Sequence, residues 1–149
     1  MKPCKRYCCL MFLLILCWLP SEAKQMAVVV DKSNAVTNMA AADLAKIFQA
    51  NTKKWPDGKP ITIVFSELSS SDLQLALQRL FKMTPDEVKT FLTTHKTSFV
   101  AADSAEALLK MVEGTPGAVG LVDVYSITSK VNVVKIDGKL PLEQGYLLH

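Results

Sequence analysis

Three consecutive serines, Ser69, Ser70 and Ser71, stand directly before an apolar helical pattern and are the chain's leading candidates for ligand chemistry. Hydroxyls in that place have two uses. They cap the helix by accepting from its first amides, or they join those amides, at the positive end of the helix dipole, in cupping an oxyanion. Glu67 and Asp72 lie on either side and would repel an anion, so both readings stay open. His95 and His149 have no metal-ligand spacing and read as solvated surface residues. Arg79 falls in a helix beyond the serines and is expected to pair at the surface with Asp72 or Glu87. Trp55 stands in the loop before the second strand, placed to stack on a ligand or partner. Lys53 and Lys54 beside it make a basic spot too small to hold nucleic acid. No serine-histidine-acid set, glycine-rich phosphate loop, paired-carboxylate motif or cofactor fingerprint is present, so no catalytic machinery, metal or cofactor is expected.

The 149-residue chain opens with the features of a secretory signal. Lys2, Lys5 and Arg6 supply positive charge, Leu10 to Leu19 is apolar, and Ser21-Glu22-Ala23 places small residues at a cleavage site. The apolar run is shorter than the ~20 residues that span a bilayer, and Pro20 follows it. A domain of residues 24–149 is therefore expected outside the cytoplasm, after cleavage following Ala23. Cys4, Cys8, Cys9 and Cys17 all lie in the leader, so that domain has neither disulfide nor thiolate chemistry. Losing Lys2, Lys5, Arg6 and Glu22 lowers the net charge from +3 to +1, and nothing points to nucleic acid.

The elements that must position the serines follow from hydrophobic spacing. Met26 to Val30 reads as a strand buried on both faces, closed by a turn over Asp31 to Asn34. Leu44, Ile47 and Phe48 mark a helix from Ala41 to Gln49 whose start lacks a good cap. A loop from Asn51 to Pro60 leads to a strand over Ile61 to Phe65. Helices follow from near Asp72, from the capping box Thr84-Pro85-Asp86-Glu87, and from Asp103-Ser104. Gly114 is placed to end the last of these in a left-handed conformation. Ala118 to Val122 and Val131 to Ile136 complete the strands. Such an order implies one α/β domain with a mixed, mainly parallel sheet flanked by helices.

Five stretches, taken in order, resemble the phosphate-binding solute receptors of ABC transporters. They are Val28-Val29-Val30 with Ser33-Asn34-Ala35-Val36, Leu44 to Phe48, Trp55-Pro56-Asp57-Gly58-Lys59-Pro60-Ile61, Thr115-Pro116-Gly117-Ala118-Val119-Gly120-Leu121-Val122, and Val133 to Pro141 with Gly145-Tyr146. The resemblance implies a periplasmic-binding-protein-like fold, of which this chain is similar to a single lobe, and makes Trp55 a packing anchor beneath its loop rather than a ligand contact. It also implies that the lobe grips phosphate with an arginine shortly before a serine-glycine-threonine turn. Here that turn matches Ser69-Ser70-Ser71, Ser70 stands for the glycine, and Phe65 falls at the arginine position. The expected function is an exported, non-catalytic solute-binding domain with phosphate or another oxyanion as ligand and a permease as partner. Phe65 motivates the alternative, a ligand-free scaffold that binds an envelope protein, and the single lobe allows a homodimer that rebuilds a two-sided cleft.

Overall fold

Met26 to Asp31 carries no polar side chain before its last residue, and every one of its six residues is buried. In the computed structural model, which describes residues 25–148, this strand, β1, runs through the middle of a six-stranded sheet. The others are β2 (Asn38–Met39), β3 (Thr62–Ser66), β4 (Val100–Ala102), β5 (Ala118–Asp123) and β6 (Val131–Ile136). Their order across the sheet is β2-β6-β1-β5-β3-β4. β1 is antiparallel to both its neighbours, and every other pairing is parallel, so five strands run one way and β1 runs against them. The class is the α/β, mixed and mainly parallel arrangement that the hydrophobic pattern implies. The short strands β2 and β4 are additions to it, because two or three residues are too few to show a period of two. The leader of residues 1–23 lies outside the described residues, as does His149.

Four helices cover the two faces: α1 (Ala41–Phe48), α2 (Ser71–Phe81), α3 (Pro85–Thr94) and α4 (Ala105–Gly114). Alternation along the strands sorts the core. Val28, Val30, Ile63, Phe65, Val119 and Leu121 face α1, α2 and α3, while Val29, Val64, Ala118 and Val122 face α4. Phe65 is fully buried, stacked on Phe48 at 5.5 Å between ring centres and tilted against Phe99 at 5.0 Å. The exposed start of α1 is capped from a distance: Asp137, in the tight turn after β6, accepts from the Ala41 amide at 3.0 Å. That partner lies 96 residues away, which is why local sequence shows no cap.

Three expectations are corrected. Gly114 ends α4 within the helix rather than in a left-handed cap, since Thr115 leaves in an extended conformation and the following Pro116 favours that geometry. The left-handed residue is Gly117, at φ +86°. Arg79 is exposed and forms no ion pair with Asp72 or Glu87. Asp72 is two helical turns away, and the Glu87 carboxylate is turned onto the Thr84 amide in the α3 capping box. His95 is half-buried and stacked on Phe91 at 4.4 Å, because the last turn of α3 folds its ring back onto the helix.

At the amino edge of the sheet the loops are locked through Gly117. Its amide donates to the buried carboxylate of Asp31 at 3.0 Å, and its carbonyl accepts from the Trp55 indole at 2.8 Å and the Thr62 amide at 3.2 Å. Asp31 also accepts from the amide and hydroxyl of Ser33. Trp55 is buried and serves as the loop's anchor. At the other end of the chain, Tyr146 is buried and its hydroxyl donates to the Met26 carbonyl at 3.0 Å.

Two predictions follow from these contacts. A Cβ at residue 117 would lie 2.2 Å from the Pro60 carbonyl oxygen. Gly117→Ala is therefore expected to cost at least ~3 kcal/mol, roughly ten degrees of melting temperature, in a thermal denaturation. Burial pushes the Tyr146 phenol above its ordinary value, so the folded state keeps a proton that the unfolded chain loses near pH ~10. Its stabilising share is whole below that pH and lost as pH rises above it. Denaturant titrations between pH 9 and 11 are expected to show a steeper alkaline loss for the parent than for Tyr146→Phe.

Candidate functional site

With five strands parallel, the carboxyl ends of β3 and β5 meet the amino ends of α2 and α4 on one edge of the sheet, the place where open α/β sheets receive ligands. The segment between β3 and α2 is built there by its own hydrogen bonds. The Ser70 amide donates to the Glu67 carbonyl at 2.7 Å, and the Gln74 side chain donates to the Leu68 carbonyl at 3.1 Å. To make this turn Glu67 takes φ +49°, a left-handed conformation that costs a residue with a Cβ about 1–2 kcal/mol.

Helix α2 differs from its neighbours in how it begins. α3 starts with a full capping box and α4 with the Ser104 hydroxyl accepting from the Ala107 amide at 3.1 Å. Ser70 sits at the cap position of α2, yet its hydroxyl makes no capping bond. The first intrahelical bond runs from the Gln74 amide to the Ser70 carbonyl, so the amides of Ser71, Asp72 and Leu73 have no acceptor among the described residues. Of the two readings of the serines, capping by a side chain is not what the structure displays.

A cavity of about 140 Å³ opens beside this helix end. Ser66, Ser70 and Ser126 bring hydroxyls to it, Glu67, Asp72 and Asp123 bring carboxylates, and Met26, Leu73 and Ala105 form the apolar wall. Asp123 is partly engaged, accepting from the Tyr125 amide at 3.3 Å and the Ser126 hydroxyl at 3.2 Å. Glu67 and Asp72 carry no hydrogen bond or ion pair to their carboxylates among the described residues. No lysine or arginine lines the cavity. Among the described residues no three histidine, cysteine, aspartate or glutamate side chains converge closely enough to hold a metal ion. Two larger hollows, of about 300 Å³ by Lys53 and Thr97 and about 440 Å³ by Met39 and Trp55, lie away from the carboxyl ends of β3 and β5 and from the amino end of α2.

The sequence reading and the geometry overlap at one residue. Ser70 lines the cavity, whereas Ser69 and Ser71 are exposed and do not, although the Ser71 amide is one of the free donors. The Ser70 amide is taken by Glu67, so the donors lie one to three residues later. Phe65 points away from the cavity into the core. Ser66, Asp123 and Ser126 are not legible as site residues in sequence. Their only common signal is that each falls at or just past the carboxyl end of a parallel strand.

A half-sheet with one reversed strand, helices on both faces and an open cleft at the strand carboxyl ends is the architecture of one lobe of a periplasmic-binding-protein receptor. The chain belongs to that superfamily: residues 23–146 match the family described as the PBP superfamily domain. Its fold is similar to a phosphate ABC transporter substrate-binding protein with bound phosphate from Clostridium perfringens, at 21% identity and TM-score 0.64, covering 78% of this chain and 46% of that one. It is similar to an ABC-type phosphate transport receptor from Vibrio cholerae at 20% identity and TM-score 0.65, covering 79% and 48%. PstS from Borrelia burgdorferi aligns at 16% identity and TM-score 0.64, covering 79% and 49%. The chain thus spans about half the length of these structures. No curated protein matches it.

The cavity reading has a direct stability consequence. If Glu67 holds its left-handed backbone without packing its side chain, Glu67→Gly relieves more strain than it adds in chain entropy. Stability is expected to be unchanged or up to ~1 kcal/mol higher by urea denaturation at constant slope. A loss would show that the side chain packs instead of facing the cavity.

Proposed function

We propose that this chain is an exported, non-catalytic solute-binding domain, with residues 1–23 as its leader and residues 24–149 as the binding lobe, and that its ligand carries a phosphate-class oxyanion. One observation carries the reading: the start of α2 presents three free amides beside the unengaged Ser70 hydroxyl at the mouth of a cavity. Unpaired amides at the positive end of a helix dipole favour an oxyanion. The family supports the fold that places them, and the structural neighbours described as phosphate receptors support the ligand class and a membrane permease as partner.

Selectivity comes from the carboxylates. An ionised carboxylate only accepts hydrogen bonds. Glu67 and Asp72 therefore suit an oxyanion that still bears P–OH protons and oppose fully ionised sulfate. An arginine would strengthen the grip, and in its stead the lobe has Phe65, committed to the core.

The purified protein is expected to gain melting temperature with millimolar phosphate and not with sulfate or molybdate at equal ionic strength. Saturation at ~100 times the dissociation constant adds ~2.7 kcal/mol, a shift of several degrees. Ser71→Pro removes one free amide at the helix position that best tolerates proline, so it should leave the unliganded melting temperature intact and shrink the phosphate shift. An undiminished shift in that variant would place the anion elsewhere, and no shift with any oxyanion would sink the reading.

A further inference from the structure

Inorganic phosphate would reach the carboxylates of the cavity only through its P–OH protons and leave their charge uncompensated. Glu67, Asp72 and Asp123 line the cavity and no lysine or arginine does. Among the described residues these carboxylates do not form a group of three that could hold a metal ion.

A second, independent observation marks the cavity as a ligand site. Ser66 is 8% exposed, lines the cavity, and its hydroxyl has no hydrogen-bond partner among the described residues. No buried polar side-chain atom is left both shut from solvent and unpaired. The Ser66 hydroxyl thus meets the open space of the cavity, where it has no protein partner and is free to bond a ligand.

We infer that the solute is a small zwitterion, a phosphate monoester or phosphonate joined by a short spacer to an ammonium group. This rests on the proposed oxyanion site and names the substrate class for it. The oxyanion sits on the free amides of α2 with the Ser66 and Ser70 hydroxyls, and the ammonium faces Glu67 and Asp72, whose carboxylates are unpaired. The ammonium cancels part of the phosphate charge and stands between it and the carboxylates, which lessens the repulsion that a bare phosphate meets. An ammonium supplies three donors and no acceptor, matching carboxylates that accept and cannot donate.

Calorimetric titrations of the purified protein with O-phosphoethanolamine, propyl phosphate, inorganic phosphate and ethanolamine separate the possibilities. O-phosphoethanolamine is expected to bind at least about tenfold more tightly than propyl phosphate, its counterpart without the ammonium, and than inorganic phosphate. Glu67→Gln with Asp72→Asn should bring the three phosphorus compounds within about threefold of one another, with the unliganded melting temperature unchanged. Propyl phosphate or inorganic phosphate binding as tightly as O-phosphoethanolamine overturns the inference and leaves the oxyanion receptor standing. Ethanolamine binding as tightly as O-phosphoethanolamine overturns it as well, by showing that the oxyanion contributes nothing. Binding by none of the four overturns the inference and the receptor reading together.

Discussion

The lobe is organised around the Gly117 peptide, held from both sides by groups far away in sequence. Asp31, at the end of β1, takes its amide, and Trp55, in the loop before β3, reaches its carbonyl. A buried carboxylate needs several donors to stay buried, and Asp31 finds them in one glycine amide and two groups of Ser33. The residue must be a glycine twice over, for its positive φ and for the Pro60 carbonyl pressed against the place of a Cβ. This single knot sets how β1, β3 and β5 enter the sheet.

Closure at one edge leaves the other free for binding. At the amino edge Asp31, Trp55 and the Gly117 peptide are spent on one another. α1, α3 and α4 have capped starts, while the start of α2, at the carboxyl edge, is left with free amides beside unengaged hydroxyls and carboxylates. Unsatisfied groups of this kind cost stability in a buried place, so their concentration at one half-open cavity is what a rigid scaffold with a ligand site looks like. Glu67 adds strain at the same point.

Phe65 shows why a family pattern does not transfer to this site residue by residue. The motif resemblance implies an arginine at this position, but strand alternation turns residue 65 toward Phe48 and Phe99 in the core. Ser66, one residue on, falls on the other side and reaches the cavity. A shift of one position in a strand exchanges core for cleft, and spacing along the chain cannot detect it.

The class of fold, the long strands, the helices and the capping box at Thr84 were all readable from the chain, because periodic burial and local capping depend on neighbours within a few residues. Trp55 as an anchor was readable from the family resemblance. What packing alone settled are the pairings across long separations: the Asp137 cap on α1, the Asp31–Gly117–Trp55 knot, the added strands β2 and β4, and the meeting of Ser66, Ser70 and Asp123 around one cavity. Each depends on where strands lie side by side in the sheet. That order, β2-β6-β1-β5-β3-β4, leaves no trace in local composition, since hydrogen bonds between backbones are the same whichever strands are paired.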